Sequence, residues 1–149
     1  MIKKLNATDK ETAKKMIDVQ LPSYKAEAEL IGFYGIPQLN DTVESIMEND
    51  EIFIGYFFDE ELAAFISYTE EQNEFDICRL VVHPNHFRKG IAKKLLEHVL
   101  KNRTNGKKVI VSTGAKNVPA KNLYAFFGFE EVKNIEVAPG IFLTFMELM

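Results

Sequence analysis

Residues 79–100 read RLVVHPNHFRKGIAKKLLEHVL. Leu80, Val81 and Val82 predict the end of a strand, Pro84 breaks it, and Arg88-Lys89-Gly90 makes a basic turn. Ile91, Leu95, Leu96, Val99 and Leu100 then recur at helical spacing. A helix that starts directly after a glycine turn presents unpaired backbone N–H groups, and its dipole adds partial positive charge. Such a start holds an anion, and a pyrophosphate is the group read here. The Walker A spacing and the glycine-rich dinucleotide fingerprint are both missing from the chain.

Upstream of this stretch, Ile2 to Asn6 predicts a first strand. Thr8 and Glu11 form a capping-box pattern for a helix to about Val19, ending before Pro22. A helical turn or two follows, with Gly32, Gly35 and Pro37 as loop punctuation, and Asp41 caps a helix carrying Val43, Ile46 and Met47. Three strands are expected at Glu51 to Phe58, Leu62 to Tyr68 and Glu74 to Val82. Downstream, Asn105-Gly106 stops the helix, Val109 to Ser112 is a strand, and Val118 to Phe127 is a short helix with Gly128 past its end. Phe129 to Val137 and Ile141 to Leu148 close the chain as a strand pair. Residues 1–149 therefore read as one α/β domain, with meandering strands before the loop and a strand-helix-strand crossover after it.

Composition narrows the setting. The chain is 46% hydrophobic and 27% charged, as ordinary soluble domains are. The N-terminus turns charged before an apolar core could form a signal peptide, no apolar run reaches membrane-span length, and a cytoplasmic protein is expected. The single cysteine, Cys78, excludes an internal disulfide and a thiolate metal cluster, and reads as a small buried hydrophobe. His83 and His86 lack a third ligand nearby, so no metal site is expected. The net charge of −4 hides a segregation: Ala26 to Cys78 holds 14 acidic residues and no lysine or arginine, while Arg79 to Lys121 holds 11 basic residues and one acid. One part of the chain is thus suited to cations and the other to anions. Nucleic acid is a poor partner for the acidic part.

The blocks VVHPNHFRKGIAKKLL and KNVPAKNLYAFFGF, with Asn117 lying 27 residues past Gly90, resemble the GNAT superfamily of acyl-CoA-dependent N-acetyltransferases. The resemblance implies a mixed, mostly antiparallel sheet with a central splayed parallel pair and flanking helices. It implies acetyl-CoA as co-substrate, with backbone N–H groups from Arg88 through Lys89, Gly90, Ile91 and Ala92 to Lys93 cradling its pyrophosphate. Leu80, Val81 and Val82 would flank the pantetheine arm, a backbone N–H near Val82 would polarise the thioester carbonyl, and Asn117 would bind the arm. The family's loop opens with Gln or Arg; here that position is Phe87, with the arginine one place later at Arg88.

Acetyl transfer to an amine requires a neutral nucleophile, and a lysine-like ammonium has a pKa of about 10.4. Tyr124 matches the family's general acid for the departing thiolate, its alternative being a buried aromatic among Phe126, Phe127 and Phe129. Asp76, on the strand before the loop, is the candidate general base; strict alternation would set it on one face with Cys78, Leu80 and Val82, and a bulge, which the resemblance implies for this strand, would break that parity. The acceptor side, Tyr24 to Leu39, carries Glu27, Glu29, Phe33 and Tyr34, which suits a cationic primary amine. Two other classes compete: a non-catalytic acyl-CoA-binding or regulatory module, and a nucleotide-phosphate-binding protein. A homodimer through the terminal strands is also an open option.

Overall fold

The computed structural model describes residues 1–103 and 106–149. Seven strands form one sheet in the order β1-β2-β3-β4-β5-β7-β6. They are β1 (Ile2–Leu5), β2 (Ile52–Phe58), β3 (Glu61–Glu70), β4 (Glu74–Val82), β5 (Lys108–Gly114), β6 (Glu130–Ala138) and β7 (Ile141–Leu148). Every neighbouring pair is antiparallel except β4 and β5. The helices are α1 (Lys10–Ile31), α2 (Val43–Met47), α3 (Ile91–Lys101) and α4 (Val118–Phe126), with 3-10 turns at Pro37–Asn40 and Pro84–His86. This is the mixed, mostly antiparallel sheet with one parallel pair that the sequence implied. None of the described helices is long and apolar enough to cross a membrane.

The two faces of the sheet bury separate cores. Met16, Val19, Tyr24, Ala28 and Ile31 of α1 pack with Phe53, Phe65 and Val81 on one face. Ile91, Leu95, Leu96 and Val99 of α3, with Tyr124 of α4, pack with Ala64, Ile66, Phe75 and Ile77 on the other. The central strand β3 is buried on both faces from Leu62 to Ser67, so it reads as a continuous apolar run rather than an alternating one.

The parallel pair is short. Glu74 to Ile77 match Lys108 to Val111, and beyond that point β4 and β5 part company. β5 continues to Gly114 along β7, while β4 continues to Val82 along β3. A bulge helps open the gap: Tyr68 pairs Ile77 and Ser67 pairs Arg79, which leaves Cys78 as the extra residue. Of the two readings left open for β4, strict alternation and a bulge that breaks it, the structure has the bulge. Phe75 and Ile77 face the α3 core before the bulge, and Arg79 and Val81 face away from it afterwards. Asp76 consequently shares the α1 face with Arg79 and Val81, and not the face of Leu80 and Val82.

α1 departs most from expectation. Its cap is Asp9, whose carboxylate accepts the Thr12 N–H at 3.1 Å, while Thr8 donates its hydroxyl to Asn6. The helix does not stop before Pro22 but runs through it to Ile31. An interior proline costs about 3 kcal/mol, yet burying side chains such as Tyr24 and Ile31 returns roughly 1.5–3 kcal/mol each, and packing wins. Gly32, left-handed at φ 71°, ends the helix. Two further caps shift. α2 is capped by Thr42 in a box with Ser45 rather than by Asp41, and α3 ends at Lys101, where the Asn102 side chain donates to the His98 carbonyl. The stop expected at Asn105 lies outside the described residues.

Candidate active site

The opening between β4 and β5 is bounded by the starts of α3 and α4 on one face and by α1 on the other. α4 begins just beyond β5, where Asn117 Oδ1 accepts the Ala120 N–H at 3.2 Å and Pro119 sits in the first turn. The Asn117 Nδ2 donates to Thr113 Oγ1 of β5 at 3.3 Å and to Glu27 Oε1 of α1 at 3.2 Å. Since α1 and α4 contribute to cores on opposite faces, the bond to Glu27 is made through the opening.

α1 crosses that opening as a ridge of residues four apart, which stack on one helix face about 6 Å from one another. Ser23 Oγ accepts the Val82 N–H of β4 at 3.3 Å. Eight residues on, the Ile31 side chain lies 3.1 Å from where a Cβ on Gly114 of β5 would stand. Glu27 is midway between these two anchors, over the gap. Its carboxyl is half-buried and held above the usual carboxylate range by desolvation.

Tyr124 reaches the same place from α4. It is 5% exposed, and its ring packs against Phe129 with centroids 5.4 Å apart. Burial, and then the charge of Glu27, push its hydroxyl well above the ordinary tyrosine value. Tyr24 of α1 is raised similarly: burial leads, Glu27 adds, Arg79 opposes, and Tyr124 and Glu51 add smaller amounts. Tyr24, Glu27, Asn117 and Tyr124 thus form one cluster at the mouth of the splay.

The loop supplies the second half of the site. The Pro84–His86 turn carries the chain off β4, with His83 Nδ1 accepting the Asn85 N–H at 3.1 Å. Arg88 (φ 65°) and Gly90 (φ 74°) both adopt left-handed backbone. A Cβ at Gly90 would meet nothing within 4 Å, so the demand for glycine there is conformational. α3 starts with no side-chain cap and no acidic residue in its first turn. Among the described residues, Arg88, Lys89 and Lys93 pair with no carboxylate. The Lys89 ammonium lies 3.1 Å from His86 Nδ1, and that of Lys93 lies 3.9 Å above the exposed ring of Phe126 on α4. Free N–H groups beside unpaired cations are the donor set that a diphosphate requires. Phe87 is exposed at the end of the turn, and nothing in the structure explains it.

The remaining expected residues are placed differently. Leu80 and Val82 are half-buried toward the α3 core, whereas Val81 is buried against α1. Val82, the expected carbonyl-polarising donor, already donates to Ser23. Asp76 pairs in register with Ile110, inside the closed part of the parallel pair, and the structure does not bring it to Tyr124. Its carboxyl is raised by burial first and then by Glu74, Glu51 and Glu71. Cys78 is half-buried at the bulge rather than in the core, with its thiol pushed up to about 11 by burial and neighbouring acids. Arg79 is turned inward, where it pairs with Glu51 and, at 3.0 Å, with Asp41. Gln20 donates to the same Asp41 oxygen at 2.7 Å, and Ser67 donates to Glu51 at 2.6 Å. The reading of the sequence missed Ser23 and the central place of Glu27. The i, i+4, i+8 spacing of Ser23, Glu27 and Ile31 was the available signal, hidden by stopping the helix at Pro22.

A mixed sheet that parts at its parallel pair, with an uncapped helix start beside the opening, is the arrangement that the resemblance implied. Residues 36–149 match the acetyltransferase (GNAT) domain, and the chain belongs to that family. It is 38% identical over 148 residues to the UPF0157 protein YqkA of Bacillus subtilis, covering 99% of this chain and 43% of that one. The chain thus spans less than half of that relative's length. Its fold is similar to that of the ribosomal-protein-S18-alanine N-acetyltransferase of Escherichia coli (TM-score 0.80, 16% identity, 99% and 92% of the two chains). It is also similar to that of the PaiA N-acetyltransferase of Thermoplasma acidophilum solved with coenzyme A (TM-score 0.73, 24% identity, 99% and 96%).

Proposed function

We propose that this domain transfers an acetyl group from acetyl-CoA directly to a cationic primary amine. The observation that carries the reading is the opening itself, with Asn117 and Tyr124 at its mouth and the uncapped start of α3 on the same face. Acetyl-CoA supplies an acetyl group already activated as a thioester. Backbone N–H groups from Arg88 to Lys93 hold its diphosphate, and the edge of β4 at Leu80 to Val82, which β5 leaves unpaired, and the Asn117 side chain flank its arm. Tyr124, whose hydroxyl is protonated at neutral pH, gives a proton to the leaving sulfur.

Replacing Tyr124 with Phe is expected to lower kcat about 10²-fold or more while CoA binding holds. Unchanged turnover would remove Tyr124 from the acid role. Release of CoA thiol should be screened over polyamines, aminoglycosides, amino-acid derivatives and peptides with free N-termini. Tight CoA binding with no release from any of them favours a non-catalytic acyl-CoA-binding module. Stabilisation by ATP in preference to CoA would point to a nucleotide instead.

A further inference from the structure

We propose that Glu27 binds the ammonium group of the acceptor and takes its proton. The inference rests on the reading above that the acceptor is an amine.

Position comes first. α1 is fixed to both lips of the opening, at β4 through Ser23 and at β5 through Ile31. The carboxylate between those anchors faces Tyr124 and Asn117 from the opposite side of the sheet. Asn117 holds Oε1, which leaves Oε2 for a ligand. Charge comes second. Among the described residues Glu27 pairs with no lysine or arginine, and the buried cation on its side of the sheet, Arg79, is already held by Asp41 and Glu51. The groups around Glu27 are Tyr24 on its own helix, Tyr124 and Asn117 from α4, and Arg79 and Glu51 beyond Tyr24. A half-buried carboxylate without a cation costs stability, and a bound ammonium supplies the missing charge. Burial raises the carboxyl above its ordinary value, and a higher pKa makes a carboxylate a better proton acceptor. Asp76 sits among Glu74, Glu51 and Glu71, away from Tyr124.

The step balances. One ammonium proton moves to the Glu27 carboxylate, and the freed lone pair forms the N–C bond as the C–S bond breaks with its electrons going to sulfur. Sulfur receives a proton from Tyr124, and the nitrogen loses a second one, which returns to the tyrosinate through the site. The Glu27 proton leaves to solvent. Ammonium plus thioester thereby gives amide, thiol and one H⁺.

The test titrates a polyamine, an aminoglycoside, an amino-acid amide and a free-N-terminus peptide into the CoA-saturated protein, following heat. Glu27→Gln keeps the shape and the acceptor for Asn117. It should weaken amine binding at least tenfold and leave CoA affinity unchanged, while Asp76→Asn changes neither. Glu27→Asp should restore part of the binding. With acetyl-CoA, the acidic limb of kcat/KM against pH should move in Glu27→Gln from the carboxyl's ionisation to that of the free amine, at about 10.4 for a lysine-like acceptor. Equal amine binding by wild type and Glu27→Gln overturns the proposal, as does a wild type that binds none of the four probes. CoA-thiol release on the same panel reports separately: amines held through Glu27 but never acetylated would sink the transfer reading and keep this one, and acetylation indifferent to Glu27 would do the reverse.

Discussion

Arg88 holds a left-handed backbone conformation at φ 65°, one of two non-glycine residues in the described chain to do so. That conformation costs an L-residue roughly 1–2 kcal/mol, and strain of this kind gathers where a ligand needs it. Arg88→Gly and Arg88→Ala both remove the charge, but only glycine removes the strain. The glycine variant should therefore be more stable by about 1 kcal/mol, as read by denaturant midpoint, with CoA bound more weakly than by wild type in both. Glu27 makes a second prediction. Its folded-state pKa lies above its unfolded value, so the folded protein holds that proton more tightly. The stability this confers is present below the unfolded pKa and lost as pH rises through the folded one. Glu27→Gln loses nothing over that window, so its Tm should exceed that of wild type at pH 8, with the gap shrinking toward pH 4. An equal gap at both pH values would mean the carboxyl does not titrate as described.

At the scale of elements, α1 was the least legible part of the sequence and the most consequential. Pro22 stops a helix by local rules, but the spacing Met16, Val19, Gln20, Tyr24, Ala28, Ile31 keeps one face apolar or buried straight through it. Tertiary burial overrode the local signal. Pro22→Ala restores a backbone donor toward Asp18 and should stabilise the domain by about 1–3 kcal/mol. The strands around the loop and the helix at Asn117 were legible because glycine, proline and hydrophobic period agree there. A bulge in β4 was expected from the family resemblance, but its place at Cys78 was not legible, since an extra residue in one strand shows only against its partner. Arg79 depended on that bulge too: read as the first residue of the basic segment, it is instead 7% exposed and tied to Asp41 and Glu51 on α1's face. Arg79→Met strands two carboxylates and should cost about 3–5 kcal/mol, whereas apolar replacement of all three residues together should cost much less. Chemical denaturation of the two variants decides it.

For the molecule as a whole, the charge reversal along the chain becomes a division of labour that the sequence showed only in outline. Arg79, Lys101, Lys107, Lys108 and Lys121 are engaged in ion pairs, and the loop cations are left for a ligand. Because Arg88, Lys89 and Lys93 stand at the surface, their attraction is screened by salt. CoA binding should weaken several-fold between about 0.05 and 0.5 M NaCl, and a Kd indifferent to salt would mean that the loop does not hold the diphosphate. The splay has a kinetic corollary. On the function proposed above, with α1 roofing one side of the gap and α3 and α4 flanking the other, donor and acceptor would enter from opposite sides and be present together. The only thiol, Cys78, is protonated at neutral pH and half-buried at the bulge, a poor relay for an acyl group. Double-reciprocal plots at several fixed amine concentrations should therefore intersect rather than run parallel, and labelled CoA should not exchange into acetyl-CoA until the amine is added.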